Sequence, residues 1–463
     1  MSHAALAIER TRKSAVTSRR GGRVTLAALL WLVLLGNAAA MVWLWWHGGN
    51  VTRVHGAGEW LTSVARITGL LGSYSALLQV VLLSRLPFLE RLAGFDRLTV
   101  WHRWNGHACL ELVLAHVVFS VWGYALMDKI PIGKEVTTML GGGVYPGMIT
   151  ATVGTGLLIA VVVSSIVVVR RRLPYEWWYA LHLAAYASIA LAWFHQIPTG
   201  NELVLDRVAA DYWRAIYLVT LGLVVAFRVV LPLVNGWRYG LRVSEVVTEA
   251  PGVISLRMTG RGVRHLNARA GQFFLWRFLT KRHWAKAHPF SLSESPDGRS
   301  LRITVKALGD FTSRIGEIPP GTRVLVEGPF GTFTTDRQRR EGIVLIGGGI
   351  GITPIRALME DAPPGSVVIY RVLHDDDVIF RRELEQLAGE RELNLHIVAG
   401  DHATDEGRRL LSPDHLRELV SDLERRDVFV CGPTAMTDAL ERNVRAAGVP
   451  RRFIHAERFA FST

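Results

Sequence analysis

The sequence predicts a membrane bundle of six helices, followed by a β-barrel domain and then an alternating α/β domain. Three observations support this fold class. Six apolar runs, each near the roughly 20 residues that a helix needs to cross a bilayer, lie before residue 240, and none follows it. Residues 240–338 alternate polar and apolar positions in short runs. Residues 341–463 alternate strand-like and helix-like segments, which is typical of a parallel sheet.

The composition agrees with a membrane protein. The 463 residues are 49% hydrophobic and carry a net charge of +13, and the mean hydropathy is +0.23. This hydrophobicity excludes a disordered chain. Two cysteines exclude a disulfide framework and any iron–sulfur cluster that needs four cysteine ligands. A basic excess beside apolar runs indicates contact with a lipid bilayer and its anionic surface, not with nucleic acid.

Residues 24–235 form the predicted membrane domain, and residues 1–23 precede it as a tail. Lys and Arg are concentrated in the tail and in the connections after the second and fourth runs, and they are sparse in the other connections. Because basic loops stay inside, we expect both termini in the cytoplasm and a multi-pass protein of the cell (inner) membrane. The apolar runs are 24–46, 60–83, 100–124, 147–169, 176–196 and 212–234.

Histidines inside two of these runs have a spacing that suits metal ligands. His102 and His116 are 14 residues apart in the third run, so they differ by about 40° in direction and about 21 Å in height. His182 and His195 are 13 residues apart in the fifth run. Side by side, the two helices would make two stacked bis-histidine sites of the size of a haem. His102 and His182 would form the inner site, and His116 and His195 the outer one.

One spacing departs from an ideal helix. A step of 13 residues leaves His182 and His195 about 140° apart, so we expect a bend or a wide turn between them. His107 points away from the face that carries His102 and His116, and we interpret it as structural.

The third run, WHRWNGHACLELVLAH, resembles the ferric reductase transmembrane domain shared by NADPH oxidases and ferric-chelate reductases. The resemblance implies two b-type haems whose irons are bound by His102, His116, His182 and His195. The same family also contains the 13-residue step.

Two arginines are candidates beside these sites. Arg66 lies about six residues into the second run. A buried guanidinium without an acidic partner requires an anion, such as a haem propionate or a reduced oxygen species. The resembled family has an arginine at a similar place near the outer haem. The alternative is an arginine whose head extends to the membrane interface. Arg103, next to His102, is a similar candidate at the inner haem.

The barrel region contains the string HPFSLSE, which resembles the flavin-binding motif of the ferredoxin–NADP reductase superfamily. The resemblance implies FAD. The candidate residues are His288, Pro289, Phe290, Ser291, Leu292 and Ser293. Downstream, Gly309 and Thr312 stand at a predicted helix start, where a glycine turn and a hydroxyl suit a pyrophosphate.

The string GGGIGITP follows the strand IVLI and opens a helix, so its backbone can approach a phosphate. It has the GxGxxP form that the same superfamily uses for NAD(P)H. The candidates are Gly347, Gly348, Gly349, Gly351, Thr353 and Pro354. The resemblance also places Cys431, Gly432 and Pro433 near the nicotinamide, with Cys431 near the hydride path. A merely buried thiol is the alternative for Cys431.

Two further candidates concern the nucleotide and the flavin. The 2′-phosphate of NADPH needs a cation; Arg371 is the first candidate, with Arg408 or Arg409 second, and NADPH is favoured over NADH. In the resembled superfamily a terminal aromatic residue covers the flavin. Phe461 is the best match and Phe459 the next, although Ser462 and Thr463 follow Phe461.

The resemblance implies an NAD(P)H-dependent oxidoreductase that passes electrons through FAD and two haems to an acceptor outside the membrane. The acceptor stays open: dioxygen, a ferric chelate or a periplasmic partner protein. Two other readings of the sequence are also open. One is a membrane-anchored flavin or ferredoxin-type reductase without haem, and the other is a channel-like protein with a regulatory nucleotide domain.

Overall fold

The computed structural model describes residues 25, 28–141, 145–170, 172–173, 175–284, 286–401 and 403–459. The chain divides into two compact units, Met1–Arg228 and Val229–Thr463. The first unit is helical. The second contains two domains, one built from antiparallel sheets and one from a parallel sheet.

The described part of the first unit contains long helices joined by short ones. The long helices are α1 Ala28–His47, α2 Ala57–Leu82, α4 Phe95–Asp128, α6 Met148–Ser165, α8 Tyr175–Thr199 and α10 Arg207–Val225. The short helices are α3 Pro87–Ala93, α5 Ile132–Leu140, α7 Val167–Arg170 and α9 Asn201–Leu205. After α10 come the π-helical turn Ala226–Val230 and helix α11, Leu231–Tyr239.

Five helices among the described residues are long and apolar enough to cross a membrane. The prediction of six spans is therefore only partly confirmed. The predicted fifth span corresponds to α8. With 25 residues α8 is long enough to cross a membrane, but it is not one of those five helices. Its polar residues His182, His195 and Gln196 lower its hydropathy, and two of these three are the predicted ligands.

Helices α2 and α4 pack closely because small residues lie between them. A Cβ atom on Gly123 would lie 2.9 Å from the carbonyl oxygen of Gly58, so a larger side chain there would separate the helices. Polar side chains also connect the pair: Ser75 donates to Asn105 Oδ1 (2.9 Å), and Asn105 donates to Gln79 Oε1 (2.7 Å). Small residues and interhelical hydrogen bonds are the usual means of helix association in membranes.

The first domain of the second unit contains six strands in two antiparallel sheets. Their orders are β1-β2-β5 and β4-β3-β6, and both sheets contribute to one hydrophobic core. Isolated bridges at Arg242–Arg323 and Leu292–Ile303 link the sheets, so the structure does not confirm one continuous barrel. The strands are β1 Arg242–Ala250, β2 Val253–Thr259, β3 Phe273–Phe278, β4 His288–Ser291, β5 Ser300–Lys306 and β6 Val324–Phe330.

The second domain is the predicted α/β domain, with a five-stranded parallel sheet in the order β11-β10-β7-β8-β9. Two apolar clusters bury strand residues of this sheet. The strands are β7 Gly342–Gly348, β8 Val367–Val372, β9 Asn394–Ala399, β10 Arg426–Pro433 and β11 Ile454–Phe459. The helices are α12 Ile352–Asp361, α13 Arg381–Glu390, α14 Asp405–Arg409, α15 Pro413–Leu419 and α16 Thr434–Ala446.

Buried ion pairs hold the two domains of this unit together. Glu383 of the α/β domain contacts Arg302 of β5 (2.7 Å) and Arg356 of α12 (2.5 Å). Arg302 also contacts Glu294, which follows β4 (3.3 Å). Removing one partner of such a network leaves an uncompensated buried charge, so the network favours one relative orientation of the domains.

Candidate redox sites in the helical unit and the α/β unit

The structure brings the predicted inner pair together. The ring centroids of His102 and His182 are 6.0 Å apart. Nδ1 of His102 lies 3.1 Å from the carbonyl oxygen of Gln79, and Nδ1 of His182 lies 3.3 Å from the hydroxyl of Ser165. A Nδ1–H group bonded to an oxygen leaves the Nε2 lone pair available to a metal, which is the usual support for a histidine ligand.

The predicted outer pair is also formed. The ring centroids of His116 and His195 are 6.3 Å apart. Nδ1 of His116 lies 2.7 Å from the carbonyl oxygen of Ala65. Gly69 makes this close approach possible, because a Cβ atom there would lie only 2.7 Å from the same Nδ1 atom. Nδ1 of His195 is buried, and its only backbone contact within the described part of the chain is a weak one to Ala192 on the same helix.

The expected wide turn in α8 is not seen. The helix is α-helical throughout Tyr175–Thr199, yet both His182 and His195 reach their partners on α4. Within each pair the two ring planes are inclined to each other, by 53° for His102 and His182 and by 31° for His116 and His195. Both histidines of the 13-residue step thus reach α4 without a wide turn between them.

Both pairs fit a metal held between two imidazoles. Metal–imidazole bonds of roughly 2.0–2.1 Å place the two ring centroids about 6.3 Å apart when the metal is shared. The observed separations are 6.0 and 6.3 Å. Among the described residues, no group of three or more His, Cys, Asp and Glu could hold a metal ion. Two ligands on opposite faces suit a haem iron, whose other ligands come from the porphyrin.

Each pair has an arginine in its neighbourhood. Arg66 lies on α2 next to Ala65 and donates to Asn50 Oδ1 (2.7 Å). Arg228, in the π-helical turn, donates to the carbonyl oxygen of Leu83 (3.0 Å), and its buried Nε has no partner in the described residues. Arg228 also interacts electrostatically with both His102 and His182. Arg103, the predicted candidate next to His102, is exposed.

Sequence analysis missed Arg228, although a signal was present. The residue is a charge deep within the last apolar run, whose other charge, Arg214, lies near its start, and a charge at membrane depth is costly and indicates function. It also lies in a π-helical turn, an irregularity that is frequent at functional sites.

The predicted flavin motif presents flat aromatic rings. The rings of His288 and Phe311 are stacked at 3.7 Å with only 3° between their planes, and Phe290 is parallel to Phe311 within 17°. Burial, together with the nearby positive charge of Lys286, lowers the pKa of His288 to about 4, so the ring is neutral at pH 7. Phe311 was not predicted; its position between Gly309 and Thr312 was the available signal.

The remaining residues of the motif differ in accessibility. Pro289 is exposed, whereas Ser291, Leu292 and Ser293 are buried. Ser293 accepts a hydrogen bond from Thr304 (2.8 Å), so its hydroxyl is engaged within the domain.

Thr312 stands at a helix start, as predicted, and the helix is a short 3₁₀ helix, Thr312–Glu317. Its hydroxyl oxygen accepts hydrogen bonds from the N–H groups of Leu308 and Gly309 (both 2.9 Å). Thr312 thus shapes the exposed turn around Gly309, where a Cβ atom would meet nothing within 4 Å. The turn is accessible to a ligand.

The predicted nucleotide residues lie together at one edge of the parallel sheet. In the order β11-β10-β7-β8-β9 the connections reverse between β7 and β10, and ligands of such sheets bind at the carboxyl ends of the strands at this point. The glycine turn follows β7, and Cys431, Gly432 and Pro433 end β10. Gly347 pairs with Cys431 in the sheet, so both segments flank the reversal.

Backbone geometry explains why glycine occupies two positions of the turn after β7. Gly349 has a φ of +52°, which favours glycine, and a Cβ atom on Gly351 would overlap the carbonyl oxygen of Cys431. No side chain caps the start of α12, so its first N–H groups can meet a phosphate. Thr353 is buried and donates to the carbonyl oxygen of Ile350 (3.0 Å), and Pro354 is buried beside it.

Cys431 is fully buried, and burial raises the pKa of its thiol well above the usual value, with Glu457 adding to the effect. The thiol is therefore neutral at pH 7. It stands at the carboxyl end of β10 but is not an activated nucleophile.

Arg371 is engaged by the protein itself. Its guanidinium donates to the carbonyl oxygens of Val372, Val398 and Gly400, the last at 2.6 Å. This leaves fewer donors for a 2′-phosphate than the sequence suggested.

Some candidates cannot be placed at these sites. Phe461 lies outside the described residues, as does the side chain of Arg408. Arg409 is exposed in α14. Phe459 ends β11 and pairs with Pro433 in the sheet.

Comparison with known proteins finds three family models that match successive parts of the chain. The family model of the ferric reductase like transmembrane component matches residues 68–193. The models of an FAD-binding domain and of the oxidoreductase NAD-binding domain match residues 239–334 and 345–442.

Among individual proteins, the chain is 34% identical over 233 residues to the ferredoxin reductase component of 3-ketosteroid-9-alpha-monooxygenase from Mycolicibacterium smegmatis, covering 47% of this chain and 65% of the relative. It spans 56% of the corresponding component from Rhodococcus rhodochrous. It is 24% identical to ferric/cupric reductase transmembrane component 1 of Candida albicans, over 63% of this chain and 36% of the relative.

Among solved structures, the FAD/NAD-binding domain of nitric oxide dioxygenase from Vibrio cholerae is 25% identical, covers 47% of this chain and 98% of that structure, and has a TM-score of 0.40. The family models match parts of both units of the chain, and the chain spans less than two thirds of the length of these curated relatives. The chain thus combines a region similar to the ferric reductase like transmembrane component with regions similar to an FAD-binding domain and to the oxidoreductase NAD-binding domain.

Proposed function

We propose that the protein carries electrons across the membrane, from cytoplasmic NAD(P)H through FAD and two b-type haems to an acceptor on the other side. The single observation that carries this proposal is the pair of bis-histidine sites at centroid separations of 6.0 and 6.3 Å. The basic connections at one end of the bundle favour an orientation with both termini in the cytoplasm.

When bound, FAD and the haems would supply hydride acceptance and one-electron transfer. The chain supplies the positions. His102 and His182 would hold the inner haem, and their Nδ1 contacts to Gln79 and Ser165 fix the ring orientations. His116 and His195 would hold the outer haem, with the carbonyl oxygen of Ala65 orienting His116.

In the second unit, the residues bind and orient. The glycine turn Gly347–Gly351 and the uncapped start of α12 would hold the pyrophosphate of NAD(P)H. Cys431, Gly432 and Pro433 would border the nicotinamide at the reversal of the sheet. The neutral ring of His288, with Phe290 and Phe311, would form an apolar wall for the flavin.

The acceptor is proposed to be dioxygen, reduced to superoxide, or a ferric chelate. Arg66 supports an anion at the outer end, because only one contact of its guanidinium, that to Asn50, is made within the described residues. Both superoxide and ferric citrate are anions, so Arg66 fits either.

The first test is the haem content. Protein purified in detergent should show the split absorption bands of two b-type haems on reduction with dithionite, and quantification should give two haems per chain. His116→Ala should leave one haem per chain and keep NAD(P)H-to-dye activity through the flavin. A protein without a haem spectrum would refute the proposal and favour a membrane-anchored flavin reductase.

The second test identifies the acceptor. Proteoliposomes with NAD(P)H at the nucleotide-binding face are supplied with oxygen alone, and then with ferric citrate under nitrogen. Because nitrogen excludes superoxide, iron reduction in the second arm is direct, and in the first arm superoxide is detected by its sensitivity to superoxide dismutase. Consumption of NAD(P)H with oxygen alone indicates an oxidase, and consumption only with ferric citrate indicates an iron reductase.

A further inference from the structure

A buried polar cluster beside the His116–His195 pair has a role beyond haem binding. It joins the α1–α2 connection, α2 and α9 through Asn50, Arg66 and Glu202. Nδ2 of Asn50 donates to Oε1 of Glu202 (2.5 Å), and Nη1 of Arg66 donates to Oδ1 of Asn50 (2.7 Å). Asn50 is 2% exposed and Glu202 is 5% exposed. The cluster is thus a hydrogen-bonded chain from a carboxylate to a guanidinium through one amide.

The amide of Asn50 has only one workable orientation. Its Nδ2 group also donates to the carbonyl oxygen of Trp45 (2.8 Å), and its Oδ1 atom accepts from Arg66. The main-chain carbonyl oxygen of Asn50 accepts from the hydroxyl of Ser63 (2.5 Å), which holds the residue in place. If the amide were flipped, its oxygen would face a carboxylate and its NH₂ group would face a guanidinium, and both contacts would be repulsive. The direction of the chain follows from this chemistry.

The negative charge of Glu202 is compensated through the hydrogen bonds that connect it, by way of Asn50, to Arg66. Within the described residues, no Lys or Arg lies within salt-bridge distance of Glu202, and its hydrogen bond comes from Asn50. The packing is tight, since a Cβ atom on Gly48 would lie 3.2 Å from both Asn50 Nδ2 and Glu202 Cγ. A buried carboxylate requires a nearby cation, and Arg66 is one amide away.

Arg66 faces the outer site. It lies three residues before Gly69 on α2, so both residues share one surface of the helix. Gly69 contacts His116, and the neighbouring carbonyl oxygen of Ala65 accepts from the same ring. Nη1 of Arg66 donates a hydrogen bond to Asn50, whereas its Nε and Nη2 atoms make no hydrogen bond within the described residues. These donors are available to an anion.

We propose that Asn50 and Glu202 are positioning residues that hold Arg66 in place for an anion at the His116–His195 end of the bundle. The inference rests on the proposed function, because it assumes that an acceptor is reduced there. Fixing the guanidinium in advance removes the entropy cost of ordering a long side chain when the anion binds. The carboxylate of Glu202 fixes the amide of Asn50, and the amide of Asn50 in turn fixes the orientation of the Arg66 guanidinium.

The test compares acceptors of opposite charge in proteoliposomes: ferric citrate, an anion, and hexaammineruthenium(III), a cation. Asn50→Leu and Arg66→Gln should each raise KM for ferric citrate by about threefold or more, and the double variant should equal Arg66→Gln alone, because coupled residues are non-additive. Neither variant should raise KM for the ruthenium complex. Thr68→Val, whose hydroxyl bonds only within α2, is the matched control and should change neither value.

Glu202→Gln guards against a folding defect, because glutamine can still accept from Asn50. It should give a smaller change in the same direction, with two haems still present. The proposal is overturned if Asn50→Leu affects both acceptors equally, if its effect adds fully to that of Arg66→Gln, or if no variant changes KM for ferric citrate. Loss of the haem spectrum in the wild-type protein would instead refute the proposed function.

Discussion

Gly69 offers a sensitive test of the outer site, because its missing side chain creates the space for His116. In Gly69→Ala, the new Cβ would lie 2.7 Å from Nδ1 and 2.9 Å from Cε1 of His116. To restore an ordinary contact, the ring must move by about 0.7 Å. That movement stretches its 2.7 Å contact with the carbonyl oxygen of Ala65 to about 3.4 Å, beyond the usual range of a hydrogen bond.

The expected magnitude follows from the lost support of the ligand. Removing the hydrogen-bond partner of a metal-bound histidine costs about 10- to 100-fold in metal affinity. We therefore expect Gly69→Ala to empty the outer site in part, so that the total haem content falls from two haems per chain toward one. The inner haem and the reduction of a soluble dye by NAD(P)H should be unchanged, since neither involves α2 at Gly69.

The assay is haem quantification together with the reduced-minus-oxidised spectrum, at matched detergent and protein concentration. The control is Gly222→Ala in α10, where a Cβ would meet nothing within 4 Å. It adds the same methyl group to a membrane helix and should keep both haems. If Gly69→Ala retained two haems with unchanged spectra and redox potentials, the assignment of His116 as a ligand supported by Ala65 would be wrong.

Three further predictions concern other parts of the chain. In a redox titration, Arg228→Gln should lower the midpoint potential of the inner haem without changing that of the outer haem, because a nearby positive charge stabilises the reduced form. An inner-haem potential equal to that of the wild-type protein would contradict the placement of Arg228 beside the inner site. Gly351→Ala should raise KM for NAD(P)H by about 5- to 150-fold, the effect of an overpacking cost of about 1–3 kcal/mol, whereas Gly389→Ala, with open space around its Cβ, should not. Burial lowers the pKa of His288 from 6.5 in the unfolded chain to about 4 in the folded protein, so the unfolded chain binds a proton first as the pH falls. The free energy of unfolding should therefore decrease as the pH is lowered from about 6.5 to about 4. The thermal unfolding temperature of His288→Gln should depend less on pH over that range.

Much of the bundle could be predicted because its signals are local. Apolar length located the helices, and histidine spacing within α4 predicted ligands that share one face. The pairing with α8 was harder, because a 13-residue step points the two histidines in different directions on an ideal helix. In the structure α8 contains no wide turn, yet both histidines reach their partners on α4. How a histidine reaches its partner depends on the neighbouring helices, which one sequence does not display.

Other features depend on contacts between segments far apart in the chain. Asn50 and Glu202 are separated by 152 residues, and neither stands in a motif. Arg371 looked free in the sequence but is bound by carbonyl oxygens of β8, β9 and the following loop. The two three-stranded sheets likewise reflect strand register, which alternation of polar and apolar residues does not specify. The glycine turn and the end of β10 were predictable, because both lie directly after buried strands.

The central claim is that NAD(P)H and the two bis-histidine sites belong to one electron-transfer chain. The most direct measurement is anaerobic addition of NADPH, and separately of NADH, to the purified haem-loaded protein while absorbance is recorded. The account predicts that the flavin is reduced and that both haems then become reduced, without dithionite, and that His102→Ala leaves the flavin reducible but blocks reduction of the outer haem. Reduction of the flavin with both haems remaining oxidised in the wild-type protein would contradict the account.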